Sequence, residues 1–434
     1  MSRRVVVTGM DVVTPIGVGV DRFWKAALGG MSGIRPITHF DPEGLPTRIA
    51  ATLTDPELIA ALRAESGLDA AEPRGVVVGA HAARGAVLQA EASEAVRGTR
   101  AGVFVGTSGE RHDLRLLGAI AYASRRADGS LTPAGFAQEF ARRAAAGHFE
   151  RLLPQYLAAR LAGMFGIEGP ATTVQTACTS SAQAIGEAFR AVRRGAVDIA
   201  LAGGADCIVS PVEVQLFCLL GVLSKQNDAP ESASRPFDAR RDGFVMGEGA
   251  GFLVLESAEH ARARGVQALA ELAGYGSACD AYRITDEAPD GHGAIRAMRA
   301  ALATAGVAPA EVDYVNAHGT STPMNDRVET TAIKDVFGAH AARLLISSTK
   351  SMIGHTISAA GAIELATAVL AVRNQIAPPT INYQVRDADC DLDYVPNVAR
   401  PAPIRAAISN SFGFGGHNDC LLVRAVDADG EPCP

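Results

Sequence analysis

The chain has 434 residues, 48% of them apolar, and a formal net charge of −7. That length can bury a large core, and two or three domains are expected. The mild acidity, with no basic block, excludes a nucleic-acid surface from the expectations. Seven cysteines, odd in number and without framework spacing, do not describe a disulfide scaffold; a reducing, cytoplasmic setting is the simpler reading.

The opening "MSRRVVVTGM" carries only three consecutive valines, too few for a secretory h-region. No run approaches 18 apolar residues, so no membrane span is expected. "RVVVTGM" (4–10) is a β-branched run closed by glycine and predicts a buried strand. The same shape returns in "AGVFVGTSGE" (101–110), "VDIALAGGAD" (197–206), "GAGFLVLE" (249–256), "VDYVNAHGTST" (312–322) and "RLLISSTK" (343–350). Alanine-rich helical stretches such as "AIRAMRAALATAG" (294–306) separate them. Strands alternating with such helices predict an α/β protein with a largely parallel sheet. No low-complexity linker divides the chain, and the residues after Asp427 read as a frayed tail.

The segment "TVQTACTSSAQAIGEAFRAVRRG" (173–195) places Cys178 and three hydroxyl residues ahead of an apolar stripe at Ala182, Ile185, Ala188, Phe189 and Val192. That is one face of a helix. Thr179, Ser180 and Ser181 are N-cap candidates, so Cys178 is expected at a helix N-terminus. Unpaired N–H groups and the helix dipole there favour a thiolate and predict a lowered thiol pKa. The competing reading is a buried thiol used as apolar filler. No zinc-ligand spacing accompanies any cysteine. A second segment, "GHTISAAGAIELATAVLAVRNQ" (354–375), echoes the first, and "YVNAHGTST" echoes "VFVGTSG". An internal duplication would produce both echoes.

A nucleophilic cysteine needs partners from elsewhere in the chain. His318 stands where a predicted strand ends, and His355 follows another strand, five residues beyond Lys350. Ligands bind at strand ends in open α/β sheets. Taken singly, each histidine reads as a satisfied turn residue. Together with the cysteine they suggest two separate charges to manage. Decarboxylation of a malonyl thioester develops an enolate oxygen, which two neutral imidazole N–H groups could stabilise. Each such donor is worth about 3 kcal/mol. The carbanion could then attack an acyl group on Cys178.

The chain resembles the β-ketoacyl-acyl-carrier-protein synthases of the thiolase-like superfamily, of the elongating type II kind found in fatty-acid and dissociated polyketide synthesis. The resemblance runs from Arg4 to about Val423. It is carried by "TACTSSAQAIG", "SASRPFDARRDGFVMGEGAGFLVLE", "VNAHGTSTPMND", "SSTKSMIGH", "PPTINY" and "NSFGFGGHN". It implies a five-layer α-β-α-β-α fold made of two pseudo-repeated halves, 1–255 with the cysteine and 256–426 with both histidines, followed by the tail 427–434. It implies that Cys178 is the acylated nucleophile and that His318 and His355 decarboxylate the malonyl unit. Lys350 would orient His355, and Glu329 would pair with Lys350. Thr320 and Thr322 would bind the phosphopantetheine arm, and Phe244 and Phe412 would contact substrate. Phe414, flanked by Gly413 and Gly415, would gate the site. Its N–H and that of Cys178 would form an oxyanion hole. No metal and no resident cofactor are implied, because the phosphopantetheine arrives on an acyl carrier protein. The implied partners are that carrier and a second subunit, either a copy of this chain or a chain-length-factor homologue. Asn325 departs from the glycine that fatty-acid enzymes often carry there. Two alternatives are a non-catalytic chain-length partner, which typically lacks the cysteine, and a non-decarboxylating thiolase-like acyltransferase, which would need a second cysteine near "SFGFGGHN".

Overall fold

The computed structural model describes residues 3–109, 114–145, 147, 149–427 and 430–432. Among the described residues eleven strands build the main sheet, ten of them in one continuous path, with the two-residue strand Gly17–Val18 folded back on the first: Val5–Thr14 (β1), Ala101–Gly106 (β2), Ala171–Val174 (β3), Ile199–Asp206 (β4), Gly249–Ser257 (β5), Ala270–Cys279 (β6), Tyr314–Asn316 (β7), Leu345–Ser347 (β8), Ala406–Gly413 (β9) and His417–Arg424 (β10). The helices that matter for the site are Arg74–Gln89 (α1), Ser180–Arg193 (α2), His292–Ala305 (α3), Pro323–Phe337 (α4) and Ala360–Asn374 (α5).

The strands follow the order β8-β7-β9-β10-β6-β1-β5-β4-β2-β3. Read outward from the β6–β1 seam, the two sides repeat one pattern. On one side β1-β5 and β5-β4 are antiparallel, and β4-β2 and β2-β3 are parallel. On the other, β6-β10 and β10-β9 are antiparallel, and β9-β7 and β7-β8 are parallel. The seam itself is short, with Val6 opposite Glu271 and Val7 opposite Ala270. The suspected duplication is therefore a repeat of topology, with α2 and α5 in equivalent places.

The sheet is mixed, and the expectation of a largely parallel one does not hold. Continuous apolar runs report burial on both faces; they do not report the direction of the neighbouring strand. Here β4 and β5 are buried along their whole length although they run antiparallel. All six strands expected from the sequence are present with different bounds: Val5–Thr14 and Gly249–Ser257 run longer than expected and the other four shorter, and Glu110, the last residue of one expected run, lies outside the described residues. Strands β6, β9 and β10 escaped notice because glycine, serine and asparagine interrupt their apolar pattern, as in "AAISNSFG", and β3 because it is four residues long with two threonines.

Five layers result. α1 packs on β1, β5 and β4, closing one outer core. α3 packs on β6 and β10, with α4 beside it, closing the other. Between the half-sheets lie α2 and α5, whose side chains fill the central core. They approach almost backbone to backbone: the Ala362 N–H donates to Ser181 Oγ at 3.0 Å. A Cβ on Gly361 would sit 2.7 Å from Ala182 Cβ. The turn before α5 and the helix itself, Ile357–Asn374, form one stretch of 18 residues long and apolar enough to cross a membrane by length and composition. It is not an unbroken apolar run, since it carries Glu364 and Arg373, so the expectation that no run approaches 18 apolar residues is not overturned. The stretch is buried between the half-sheets, which accounts for its composition.

The expected frayed tail (427–434) is in part tied down. Val426 bridges to Pro432, and the Glu431 carboxylate pairs with Arg4 and Arg262, the latter at 2.8 Å. Residues 428, 429, 433 and 434 lie outside the described residues.

Candidate active site

Cys178 sits in a single tight turn, Ala177–Thr179, that leads into α2. Ala177 has φ 52, a left-handed conformation that costs a non-glycine residue energy and turns the chain sharply. The flanking hydroxyls cinch this turn and do not cap the helix in the usual way. Ser180 Oγ accepts from the Thr176 N–H at 2.9 Å and donates to the Ala177 carbonyl at 2.7 Å. Thr179 Oγ1 donates to the Thr176 carbonyl at 2.9 Å. Gly106, the last residue of β2, lets the strand end abut the start of α2; a Cβ there would run into the backbone nitrogen of Ser181.

The predicted thiolate does not hold for the resting protein. Burial pushes the Cys178 thiol up to about 12, against the charge of Lys350 and the N–H groups of Phe414 and Cys178, which act to lower it. The helix end was read correctly, but desolvation of the sulfur is the larger effect.

His318 follows β7, and His355 follows the short helix Lys350–Ile353. Their rings lie 5.3 Å apart, centroid to centroid, nearly perpendicular at 84°. Both are buried. Burial first, then the Lys350 charge, holds both imidazoles well below their ordinary pKa, so both are neutral at pH 7. The two ring nitrogens of His355 have no hydrogen-bond partner.

Lys350 is placed differently from expectation. Its ammonium pairs with Glu364 of α5, not with Glu329. Its Nζ lies 3.4 Å from Nδ1 of His318, the histidine it was not expected to orient. Glu329 instead holds the strand exit: its carboxylate accepts the N–H groups of His318 at 2.9 Å and Gly319 at 2.8 Å, and the Asn410 side chain at 3.1 Å. Burial raises Glu329 to about 7 and Glu364 to about 7. Glu364 was missed, yet a signal existed. It is the one ionisable residue among Ala360–Val372, all of them buried, and a buried charge needs an opposite one.

Thr320 and Thr322 hydrogen-bond to each other at 3.0 Å, and Thr322 also caps α4 by accepting the Asn325 N–H at 3.3 Å. Phe412 lies 5.7 Å from the His318 ring. Phe244 meets the His355 ring edge-on at 5.3 Å and Phe217 at 5.6 Å, and Phe217 stacks with Phe414 at 6.4 Å. The Gly413–Gly416 turn uses left-handed backbone at Gly415, φ 88, and Gly416, φ 75. It is held by the Gly415 N–H donating to the Ile284 carbonyl at 2.6 Å.

One cavity of about 240 Å³ joins these residues: Cys178, His318, His355, Thr320, Thr322, Phe244, Phe412, Gly413 and Phe414 all line it. Gly415, Lys350 and Glu329 do not. Among the described residues no group of three or more potential metal ligands is found.

Two family models match the chain: "Beta-ketoacyl synthase, N-terminal domain" over residues 2–261 and "Beta-ketoacyl synthase, C-terminal domain" over residues 269–384. The chain is 42% identical over 435 residues to a "putative polyketide beta-ketoacyl synthase 1" of Streptomyces cyaneus, covering 98% of each. It is 40% identical over 433 residues to the "3-oxoacyl-[acyl-carrier-protein] synthase 2" of Coxiella burnetii, covering 98% of this chain and 99% of that one. Among solved structures it resembles a type II polyketide ketosynthase bound to the hexaketide, in complex with its acyl-carrier protein. The TM-score is 0.86 at 34% identity, over 98% of this chain and 100% of the other. A beta-ketoacyl synthase from Burkholderia phymatum gives a TM-score of 0.86 at 33% identity, with the same coverage. With a cysteine at a helix start facing two neutral imidazoles across one cavity, and relatives matched along nearly the whole length, this chain belongs to the β-ketoacyl synthase family.

Proposed function

We propose that this ketosynthase, an acyltransferase, elongates an acyl chain by decarboxylative condensation, with Cys178, His318 and His355 in contact with the reacting groups. The observation that carries the reading is the pair of neutral imidazoles sharing a cavity with the Cys178 sulfur. In the first step the sulfur attacks the thioester carbonyl of an acyl carrier protein. The C–S bond to the phosphopantetheine arm breaks, and the departing arm sulfur takes up the proton the cysteine gives up. N–H groups of Cys178 and Phe414, which already act on the sulfur, would hold the tetrahedral oxyanion. Exchange of one thioester for another is close to balanced, so the neutral thiol costs no net charge separation.

In the second step a malonyl carrier fills the cavity. Its C–C bond to the carboxylate breaks, carbon dioxide leaves, and the electron pair stays as an enolate. Imidazole N–H groups of His318 and His355 stabilise that oxygen without becoming charged. The carbanion attacks the acyl carbonyl on Cys178, a C–C bond forms and the C–S bond breaks, and the released cysteine sulfur takes one proton from solvent, the proton that decarboxylation consumes. Thr320 and Thr322 would hold the arm, and Phe414 would move aside for the extender. The apolar cluster of Phe244, Phe217, Ile208, Met246 and Ile357 around Cys178 would take the acyl tail.

The implied partners are a carrier protein and a second subunit. In favour of the second subunit, β3 is the last strand of the sheet. Tyr122, Leu131, Phe136 and Phe140 also leave exposed apolar surface in the 114–145 helical segment. An open sheet edge and such a surface call for cover.

The test is mass spectrometry after incubation with acyl and malonyl carrier proteins. An acyl adduct on Cys178, absent in Cys178→Ala, together with carbon dioxide release supports the reading. An adduct without release points to a non-decarboxylating acyltransferase, and no adduct to a non-catalytic partner subunit.

A further inference from the structure

Among the described residues, the reaction cavity is lined by three carboxyl groups, Asp242, Asp286 and Glu287, and by no lysine or arginine. Two of the three are already engaged. Asp242 accepts the Ser224 hydroxyl at 2.7 Å and the Lys225 N–H at 3.2 Å, and Asp286 pairs with Arg283 at 3.0 Å. Glu287 differs. The residue as a whole is half-buried, but its Oε2 is closed off from solvent and has no hydrogen-bond partner. It lies three residues after Ile284, whose carbonyl holds the Gly415 N–H of the gate turn.

A buried, unpartnered carboxyl beside a nucleophile is costly unless a ligand completes it. The acyl tail and the carbonyl groups of the first substrate carry no charge. The extender does: it enters as a carboxylate, into a cavity whose neighbouring cations are already engaged, Lys350 by Glu364 and Arg241, which donates to the Thr322 and Pro323 carbonyls, by Asp326 and Asp387. We propose that Glu287 receives the extender's carboxylate, donating a hydrogen bond to it when neutral and repelling it when ionised, so that extender binding, unlike acyl loading, is coupled to a proton on Glu287. The proposal rests on the reading that this cavity takes a malonyl thioester.

The surroundings favour the neutral form. Asp326 and Glu329 on α4, Asp280 just past β6, and Asp286 on the same loop all face Glu287 with like charge or potential charge. Cys178 at the start of α2 and the neutral His318 and His355 supply no positive charge from the other walls. Burial, followed by those four acids, raises Glu287 to about 8. Below that pH the side chain is an O–H donor lacking an acceptor; above it, a carboxylate would face the incoming carboxylate across a poorly solvated gap. By linkage, an anion that binds only the neutral form loses affinity about tenfold for each pH unit above the pKa.

The experiment measures kcat/KM for malonyl carrier protein from about pH 6.5 to about pH 9.5, alongside the rate of acyl loading onto Cys178, for the wild type and for Glu287→Gln. The glutamine keeps the size and an N–H donor at every pH. The expected result is a basic limb, falling about tenfold per pH unit, in the wild-type extender profile only, with loading matched between the two proteins. Glu287→Ala should show no limb either, but a kcat/KM lowered about tenfold across the range, because the donor is gone. The same basic limb in Glu287→Gln as in wild type, or a limb in acyl loading that the substitution removes, overturns the role of Glu287. No acyl adduct on wild-type Cys178 at any pH overturns instead the ketosynthase reading on which it rests.

Discussion

Lys350 Nζ lies 3.4 Å from His318 Nδ1 while its charge is paired with Glu364. An ammonium can only donate, so His318 Nδ1 is the acceptor and the proton of the neutral ring resides on Nε2. Lysine and glutamate thus fix which nitrogen of His318 can offer an N–H to a developing enolate. Neither touches substrate; they act through the ring.

Removing that ring separates the two half-reactions. His318→Ala should leave acyl loading of Cys178 nearly unchanged and slow release of carbon dioxide from malonyl carrier protein by about two orders of magnitude or more. Mass spectrometry of the adduct and a coupled carbon dioxide assay read the two steps separately. Equal loss in both would contradict the assigned division of labour.

Glu364→Gln leaves the Lys350 ammonium buried without a counter-charge. We expect about 3–5 kcal/mol of stability to be lost, read from denaturant midpoints. Lys350→Met in the same background should recover most of it. A loss below about 1 kcal/mol in the single variant would show that the pair is not desolvated as described.

Both histidines are neutral because burial and Lys350 depress their pKa values. Lowering the pH from about 8 to about 6 therefore charges neither ring, although an ordinary histidine would titrate in that interval. Carbon dioxide release should stay level over that range at saturating extender. A fall centred near pH 6.5 would mean that at least one imidazole titrates normally.

Two glycine substitutions separate positioning from general tolerance. Gly106→Ala drives a methyl group into the Ser181 backbone at the head of α2. It should lower the melting temperature and cut Cys178 loading by tenfold or more, because a small displacement of a nucleophile is expensive. Gly163→Ala is the control: exposed, helical and with nothing within 4 Å of the added Cβ, it should stabilise by about 0.5–1 kcal/mol without changing loading. Equal loadings in the two variants would contradict the tight contact of β2 with α2.

Much of this arrangement could be read in the chain before any coordinates. The stripe from Ala182 to Val192 announced α2, and both histidines stand just after strands or short helices, at the sheet's ligand-binding ends. What escaped depends on contacts between segments distant in sequence. Glu329 and Glu364 are both buried glutamates, and only the packing of α4 and α5 decides which one Lys350 meets. The thiol pKa failed for a related reason: a helix start is a local property, but desolvation of the sulfur is set by Phe217, Phe244 and Met246 arriving from elsewhere. The antiparallel middle of the sheet was hidden because burial on both faces gives the same apolar run in either direction.

The meeting of Gly361 with Ala182 sets a limit on how this scaffold can diversify. Two repeats are welded there by side chains no bigger than a methyl group, so the distance between sulfur and imidazoles is inherited as a fixed dimension. New substrate preferences must then arise in the cavity lining, in residues such as Phe244, Asn325 or Phe414, where a change of shape leaves the weld untouched.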